Sequence, residues 1–383
     1  AKRYEDINTL QEEKSFYEYE KKFDQIWTGL GKDVLEHSIG EVPKDRRKKT
    51  FQTRYGKIEI AKPHPFSQKI LGSRTSPLLQ EYLVLMGCEH VYNDVPGLLK
   101  RLLGIEVSTS KVYRSCLRAS EAIDQDQLQS PSGQLADGLD DPEATVYGQV
   151  DGSMLQTDDG WQEVKLGRVF TSKQLQWQGG RMYITSSDYV AKRGHYHGFT
   201  DQFEKLMPSN CQARKVFITD GADWIHRWLK AKYPGATLIL DFFHVAEKLG
   251  DAARLCHAHT DWYKRQRKRL TEGKAHLVIK AVKQLDWPEN PGKGQLLNYL
   301  EKNRERMHYD QYLGQGLLIG SGAIESAHRT VLQVRMKRSG QRWGEPGADK
   351  MIDLRTAVMS GKSHLVSDIC SGCVILKCTQ KIN

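Results

Sequence analysis

Thr145-Val-Tyr-Gly-Gln-Val-Asp-Gly152 decides the fold. Its β-branched and aromatic residues follow the two-residue period of a strand, and the run predicts a strand ending at Asp151-Gly152. In such a strand Asp151 points away from the face that carries Val146 and Val150. Two later runs repeat the design. Lys215-Val-Phe-Ile-Thr219 reads as a buried strand closing on Asp220-Gly221, and Thr237-Leu-Ile-Leu240 as another closing on Asp241-Phe-Phe-His244. Between them a turn at Asp158-Asp-Gly160 leads into a strand from Trp161 to Phe170, and Met182 to Val190 reads as a third. Tyr196 to Met207 reads as a helix, and Asp223 caps another that runs through Lys232. The order βββ-α-β-α-β-α predicts a mixed α/β sheet with carboxylates at strand ends.

Downstream, Leu249 to Gln315 holds no good strand and reads as a helical insertion, basic at Lys264-Arg-Gln-Arg-Lys-Arg269 and broken at Trp287-Pro-Glu-Asn-Pro-Gly292. Ile319-Gly-Ser-Gly-Ala-Ile-Glu-Ser-Ala-His-Arg329 then opens a helix. Ile324, Ala327, Val331 and Val334 form one apolar stripe, Ser321 is placed to cap the start and Gly340 to end it. Glu325, His328, Arg329 and Leu332 share another face. From Gly320 to Arg355 seven Lys/Arg stand against four Asp/Glu. A carboxylate among cations suits a metal-dependent enzyme acting on nucleic acid, because the acid binds the cation and the bases bind phosphates. A solvated Glu–Arg pair on an amphipathic helix is the plain alternative.

Upstream, residues 1–40 read as helical. Phe16, Tyr19, Phe23, Ile26, Leu30 and Val34 form a packing or dimerising seam. A basic run, Lys44-Asp-Arg-Arg-Lys-Lys49, precedes a hairpin from Phe51 to Lys62 that turns near Tyr55-Gly56. Ser76 to Ala122 carries helix-turn-helix spacing. One helix runs from Pro77 to Gly87, a second from Asp94 to Leu103 with a stop at Gly104, and a third from Ser108 onward with Lys111, Arg114 and Arg118 on one face. A basic final helix after a short turn is how this motif meets the major groove; three-helix bundles without DNA share the spacing. Asp124 to Ala144 is rich in Asp, Ser, Pro, Gly and Gln and reads as a linker. The expected organisation is an N-terminal region (1–74), a DNA-binding domain (75–123), the linker (124–144), a catalytic domain in two parts (145–248 and 317–360) around the insertion (249–316), and a weakly structured tail (361–383).

The composition narrows the class. The chain has 383 residues, 39% hydrophobic and 27% charged, with a net charge of +10. That describes a multidomain globular protein whose basic balance favours a polyanionic partner. No window approaches the ~18 uninterrupted apolar residues of a membrane span. The first residues, Ala1-Lys-Arg-Tyr-Glu, do not read as a signal peptide. Seven scattered cysteines point to a reduced, intracellular protein rather than to a disulfide scaffold, and with DNA as the expected partner the expected location is cytoplasmic and nucleoid-associated. Cys370-Ser-Gly-Cys373 with Cys378, and Cys256-His257 with His259, are half-motifs for zinc without a second half.

An Asp at a strand end is by itself an ordinary turn residue. Two such ends plus a helical Glu make a set. Together with Gly160-Trp161-Gln-Glu163-Val-Lys165-Leu-Gly167, Asp220-Gly-Ala-Asp-Trp-Ile225, Asp241-Phe-Phe-His244, Ile319-Gly-Ser-Gly-Ala-Ile-Glu-Ser326 and Arg335-Met-Lys-Arg-Ser-Gly-Gln-Arg-Trp343, the order resembles DDE-type insertion-sequence transposases of the ISKra group, related to the Mutator-like transposases. The resemblance covers residues 145–358. It implies an RNase H-like catalytic domain and a metal-binding triad at Asp151, Asp220 and Glu325, with Asp241 and His244 as an accessory Asp-x-x-His motif. It also implies two Mg²⁺ or Mn²⁺ ions, nicking of transposon ends, and transfer of the freed 3′-hydroxyl into target DNA. Relatives often carry cysteine pairs in the region of residues 35–70, which this sequence lacks. Arg329, Arg335, Lys337, Arg338 and Arg342 are the expected phosphate contacts, Trp343 a base-stacking or core residue, and His328 an accessory group near the scissile phosphate or a structural one. Double-stranded DNA and a second copy of the chain are the expected partners. A nuclease or resolvase without strand transfer, a non-catalytic DNA-binding derivative, and a helix-turn-helix regulator with an unrelated sensor domain are the rival readings.

Overall fold

The structure is a computed structural model that describes residues 10, 15–40, 42, 47–288 and 292–372. The expectations for Lys44 to Arg46, for Glu289 to Pro291, and for Cys373 and Cys378 lie outside the described residues. The chain divides into two units, residues 1–125 with 362–383, and residues 126–361.

In the first unit, Pro77–Glu89, Val95–Leu103 and Thr109–Ala122 are helices, at the positions the helix-turn-helix spacing predicts. Leu79, Leu83, Val84, Leu99, Val112, Cys116 and Ala119 make their buried core. Gly104 ends the second helix in the left-handed conformation (φ 64°), and the Ser108 hydroxyl caps the third by accepting from the Lys111 N–H. Strands β1 (Lys48–Thr53) and β2 (Gly56–Ala61) form the predicted hairpin, antiparallel, burying Phe51, Ile58 and Ile60 beside Leu35 and Ile39. Leu35 and Ile39 belong to the Phe16–Ile39 helix, none of whose residues is fully buried. Its seam residues Phe16, Tyr19, Phe23, Leu30 and Val34 are exposed. The tail is a correction. His364–Ser371 is a helix that buries Leu365, Val366, Ile369 and Cys370 and packs on Pro77–Glu89, with Ser367 Oγ donating to Glu81 at 2.6 Å. Its apolar spacing of 3–4 residues is too short a run to stand out from the sequence.

In the second unit the strands β3 (Thr145–Thr157), β4 (Gly160–Thr171), β7 (Asp188–Arg193), β8 (Arg214–Thr219) and β9 (Thr237–Leu240) form one mixed sheet in the order β7-β4-β3-β8-β9. β4 runs antiparallel to β3 and β7, while β3, β8 and β9 are mutually parallel. Val146, Val150, Val169 and Phe217 face a core closed by the Tyr196–Leu206 and Asp223–Lys232 helices. Tyr147, Val216, Ile218 and Ile239 face the opposite core, built with the helices of residues 242–314. The insertion is helical, as expected.

Three expectations change here. Residues 124–144 are not a linker: Gln125–Gln129 and Gly133–Leu139 are short helices that bury Leu128, Leu135 and Leu139, and Ser132 bonds to Asp188 through its N–H and hydroxyl. Met182 to Val190 is not one strand. β5 (Leu175–Gln178) and β6 (Arg181–Ile184) pair as a separate hairpin around Gly179-Gly180, and the sheet's third antiparallel strand is β7. The first strand does not end at Asp151-Gly152. It continues to Thr157, because Gly152 is a mid-strand glycine whose missing Cβ makes room for the Glu163 carboxylate of β4, not a turn residue.

Candidate active site

Strand register sets the site. Val150 pairs with Thr219 and Thr219 with Leu240, so Asp151, Asp220 and Asp241 stand next to one another across three parallel strands. Asp220 is the first residue beyond β8. Its Oδ1 accepts from the Ala222 N–H at 3.0 Å, an Asx turn that Gly221 completes at φ 96°. The Tyr299 hydroxyl donates to the Asp220 carbonyl at 2.9 Å. Buried Arg306 donates to Thr219 Oγ1 at 2.6 Å and to Asn303 Oδ1 at 2.9 Å, which fixes the strand end below Asp220.

Asp151 is half-buried. Burial pushes its carboxyl upward, but the His328 ring, the Gly152 N–H and the charge of His244 pull it down, and the net displacement is below the ordinary value. His328 Nε2 lies 3.2 Å from Asp151 Oδ2. The approach is within ion-pair distance, although the ring nitrogens lack an aligned hydrogen bond. Lys337 sits on the same carboxylate's flank, with its amine against Ser153 Oγ. Burial lowers the Lys337 amine and Asp151 raises it, with a net lowering.

Glu325 arrives on the helix Gly322–Ala327, which packs on β3 and β4. Its entry is pinned at four points. Gln149 Nε2 donates to the Gly320 carbonyl at 3.3 Å, and Arg168 Nη1 to the Ala323 carbonyl at 2.6 Å. The Phe242 N–H donates to the Ile319 carbonyl at 2.9 Å, and Ser321 donates to Asp241 through both N–H and hydroxyl. Gly320 leaves room for the Phe243 ring. Glu325 itself is exposed. Among the described residues no three Asp, Glu, His or Cys side chains close into a metal cage.

Two expectations about this helix are corrected. Ser321 does not cap it with its side chain, because the hydroxyl is committed to Asp241. The burial stripe is also different. It repeats every four residues, through Ile324, His328, Leu332 and Met336, with Ala327, Val331 and Arg335 beside it, while Val334 is exposed. On a 3.6-residue helix that repeat drifts by about 40° per turn. The chain absorbs the drift with a π-helical turn, His328–Gln333. Arg355 serves carbonyls of that turn, donating to Val331 at 3.1 Å and to Thr330. The turn keeps His328 inward against Asp151, although Glu325 and Arg329 face solvent.

The expected phosphate contacts divide. Arg329, Arg338 and Arg342 are exposed, whereas Lys337 is half-buried against Asp151. Arg335 is fully buried with its guanidinium 5.1 Å from the Trp343 ring centroid, which removes it from the set. Trp343 is a core residue, its Nε1 donating to the Met336 carbonyl at 2.9 Å, so it has no face free for a base. In the first unit Arg114 is exposed, Arg118 lies beside Gly72, and Lys111 donates to Gln52 of the hairpin at 2.6 Å. Asp241 now has a role: it caps the Phe242–Leu255 helix and holds Ser321. His244, half-exposed on that helix, is 3.8 Å from Glu247.

Arg168, Arg306 and Arg355 escaped the sequence reading. Arg168 carried a signal, a cation in the apolar half of a strand; Arg306 and Arg355 carried none, since each sits where a solvated helix face is the ordinary expectation. Among the described cysteines, Cys88, Cys116 and Cys370 are buried, and Cys211 and Cys256 are half-buried. Among the described residues no helix is long and apolar enough to cross a membrane. No model of a known protein family matches this chain, and no curated protein matches it either.

Proposed function

We propose that the protein is a divalent-metal-dependent DNA transposase with an RNase H-like catalytic domain, in which Asp151, Asp220 and Glu325 are the catalytic carboxylates. The observation that carries the reading is that Asp151 and Asp220 each stand one residue past the register pair Val150–Thr219 of the parallel strands β3 and β8, beside a segment that is bonded to β3 and β4 and bears Glu325. Three antiparallel strands followed by two parallel ones, with a helical segment between the last strand and the Glu325 helix, support the RNase H-like part.

The donor set fits magnesium or manganese. All three groups are hard carboxylate oxygens, and magnesium is commonly held by one or two carboxylates with substrate phosphates and water completing the shell. Asp151 and Asp220 would be those carboxylates, and Glu325 would close the site with DNA in place. Such ions supply Lewis-acid activation of the phosphodiester and of the attacking hydroxyl. The protein's own groups do the rest. His328 and the Gly152 N–H favour the ionised, ligating form of Asp151. The exposed Arg329, Arg338 and Arg342 would neutralise backbone phosphates beside it. Holding two transposon ends requires at least two copies, and light scattering of the DNA-saturated protein tests this; a strictly monomeric complex removes that part.

The decisive experiment is nicking of supercoiled plasmid in Mg²⁺ or Mn²⁺, wild type against Asp151→Asn and Glu325→Gln. Metal-dependent nicking by the wild type, lost in both variants with DNA binding retained, is the expected result. Equal nicking by all three sinks the assignment. Joining of an oligonucleotide with a free 3′-hydroxyl into the plasmid then separates a transposase from a nuclease that only cuts.

A further inference from the structure

The basic face of the Thr109–Ala122 helix is not bare. The β1–β2 hairpin lies beside it, and Gln52 joins the two: its Oε1 accepts from Lys111 Nζ at 2.6 Å and its Nε2 donates to the Glu106 carbonyl. The hairpin tip is a built turn. Thr53 Oγ1 donates to the Gly56 carbonyl at 2.9 Å and accepts from the Tyr55 N–H at 3.1 Å, and Gly56 adopts φ 110°. Tyr55 packs on Gly31, where any Cβ would collide with the ring, and Arg54 stacks 5.0 Å over that ring. Between tip and helix runs an open groove of about 600 Å³ lined by Arg54, Tyr55, Lys57, Glu106, Ser108 and Lys111.

The charge in this groove is one-sided. Glu106 is paired with Lys100 at 2.9 Å, and Glu36 with Lys32 at 3.7 Å. Lys111 has a neutral amide as its partner, and Arg114 Nε donates to the Ser110 carbonyl at 3.1 Å. Burial, then the charges of Arg114 and Lys57, push the Lys111 amine down. Cations gathered where the neighbouring acid is already paired repel one another, and a chain of phosphates relieves that repulsion while releasing its own counterions.

We propose that the hairpin tip, through Arg54 and Lys57, and the first turns of the Thr109–Ala122 helix, through Lys111 and Arg114, form one phosphate-binding surface for duplex DNA. The inference rests on the reading of the protein as DNA-acting and extends it to the hairpin. Lys111 is the hub, fixed by Gln52, that sets the spacing between tip and helix, while Arg54, Lys57 and Arg114 reach the backbone.

The test is binding of the full chain to a fluorescent 40-base-pair duplex across a salt series. Wild type is compared with the double variant Arg54→Ala/Lys57→Ala, with Arg114→Ala, and with Lys48→Ala at the other end of the hairpin, where the cation is already paired with Glu59 at 2.6 Å. Each phosphate contact contributes about 0.9 to the slope of log affinity on log salt. The double variant should therefore lose about two units of slope. Raising salt fourfold should cost it about tenfold less affinity than it costs wild type. Arg114→Ala should lose about one unit, and Lys48→Ala none. Unchanged slopes in the double variant, in a protein that still binds and nicks DNA, overturn the hairpin surface alone. Wild type that binds no duplex even at low salt overturns the DNA reading with it.

Discussion

Asp220 and Asp241 look alike in the sequence and stand side by side in the sheet, yet they are finished differently. Each follows a parallel strand, and each is next to the other in register. Asp220 spends one oxygen on the Ala222 N–H and remains half-buried at the end of its strand. Asp241 is 2% exposed and receives the Phe243 N–H, the Ser321 N–H and the Ser321 hydroxyl. A carboxylate with spare lone pairs at a strand end can take a ligand. One saturated by three donors in the interior is a joint, here between β9, the helix after it and the segment that carries Glu325. The lesson is that a strand-end Asp declares its role by the donors that reach it.

That contrast is easiest to break at Asp220. Asp220→Asn keeps the shape and the Asx turn but removes the charge. If Asp220 is the open member of the row, metal-dependent nicking should fall about 10²–10³-fold, the scale of losing one preorganised electrostatic contact in an active site. The urea midpoint should stay near wild type. A large loss of stability would mean that Asp220 too is a joint.

Asp241→Ala should behave in the opposite way. It strips three buried donors of their acceptor and should cost about 3 kcal/mol in urea unfolding, with any loss of nicking following from the fold. Ser321→Ala removes only the hydroxyl of the pair and should cost about 1 kcal/mol. Full stability in Asp241→Ala would erase the distinction between the two aspartates.

How far this was legible in the sequence follows from where the information sits. The two-residue period marked β3, and short continuous apolar runs marked β8 and β9, because their two faces meet two different cores, as Ile218 and Phe217 do. The helix ends at Gly104 and Ser108 were legible because capping is local chemistry. Several things were not. Gly152 reads as a turn until the Glu163 carboxylate across the ladder explains it. The four-residue burial repeat from Ile324 to Met336 reads as an ordinary helix until the π-helical turn is seen, so Val334 is wrongly assigned inward and Arg335 wrongly outward. Residues 124–144 have linker composition, yet Leu128, Leu135 and Leu139 are enough to bury them. At the candidate site, the strands that bring Asp151 and Asp220 into neighbouring register were legible, but the bonds around them come from Gln149, Arg168, Tyr299 and Arg306, whose partners lie far along the chain.

Asp151 completes the row and offers the smallest but most discriminating effect. It lies between the extremes, half-buried, with its carboxyl held below the ordinary value chiefly by His328 against the opposing pull of burial. A carboxyl depressed in the folded state is protonated first in the unfolded chain as pH falls. Its contribution to stability is therefore fully present above the ordinary Asp value of 3.8 and is lost as pH drops through the lower folded value. Urea midpoints taken from pH 6 down to the acid limit should thus fall more steeply for wild type than for Asp151→Asn, with the two curves converging at the acid end. His328→Gln should remove the larger part of the difference while leaving the other carboxylates untouched. Parallel curves for wild type and both variants would mean that His328 does not hold the Asp151 carboxyl below its ordinary value.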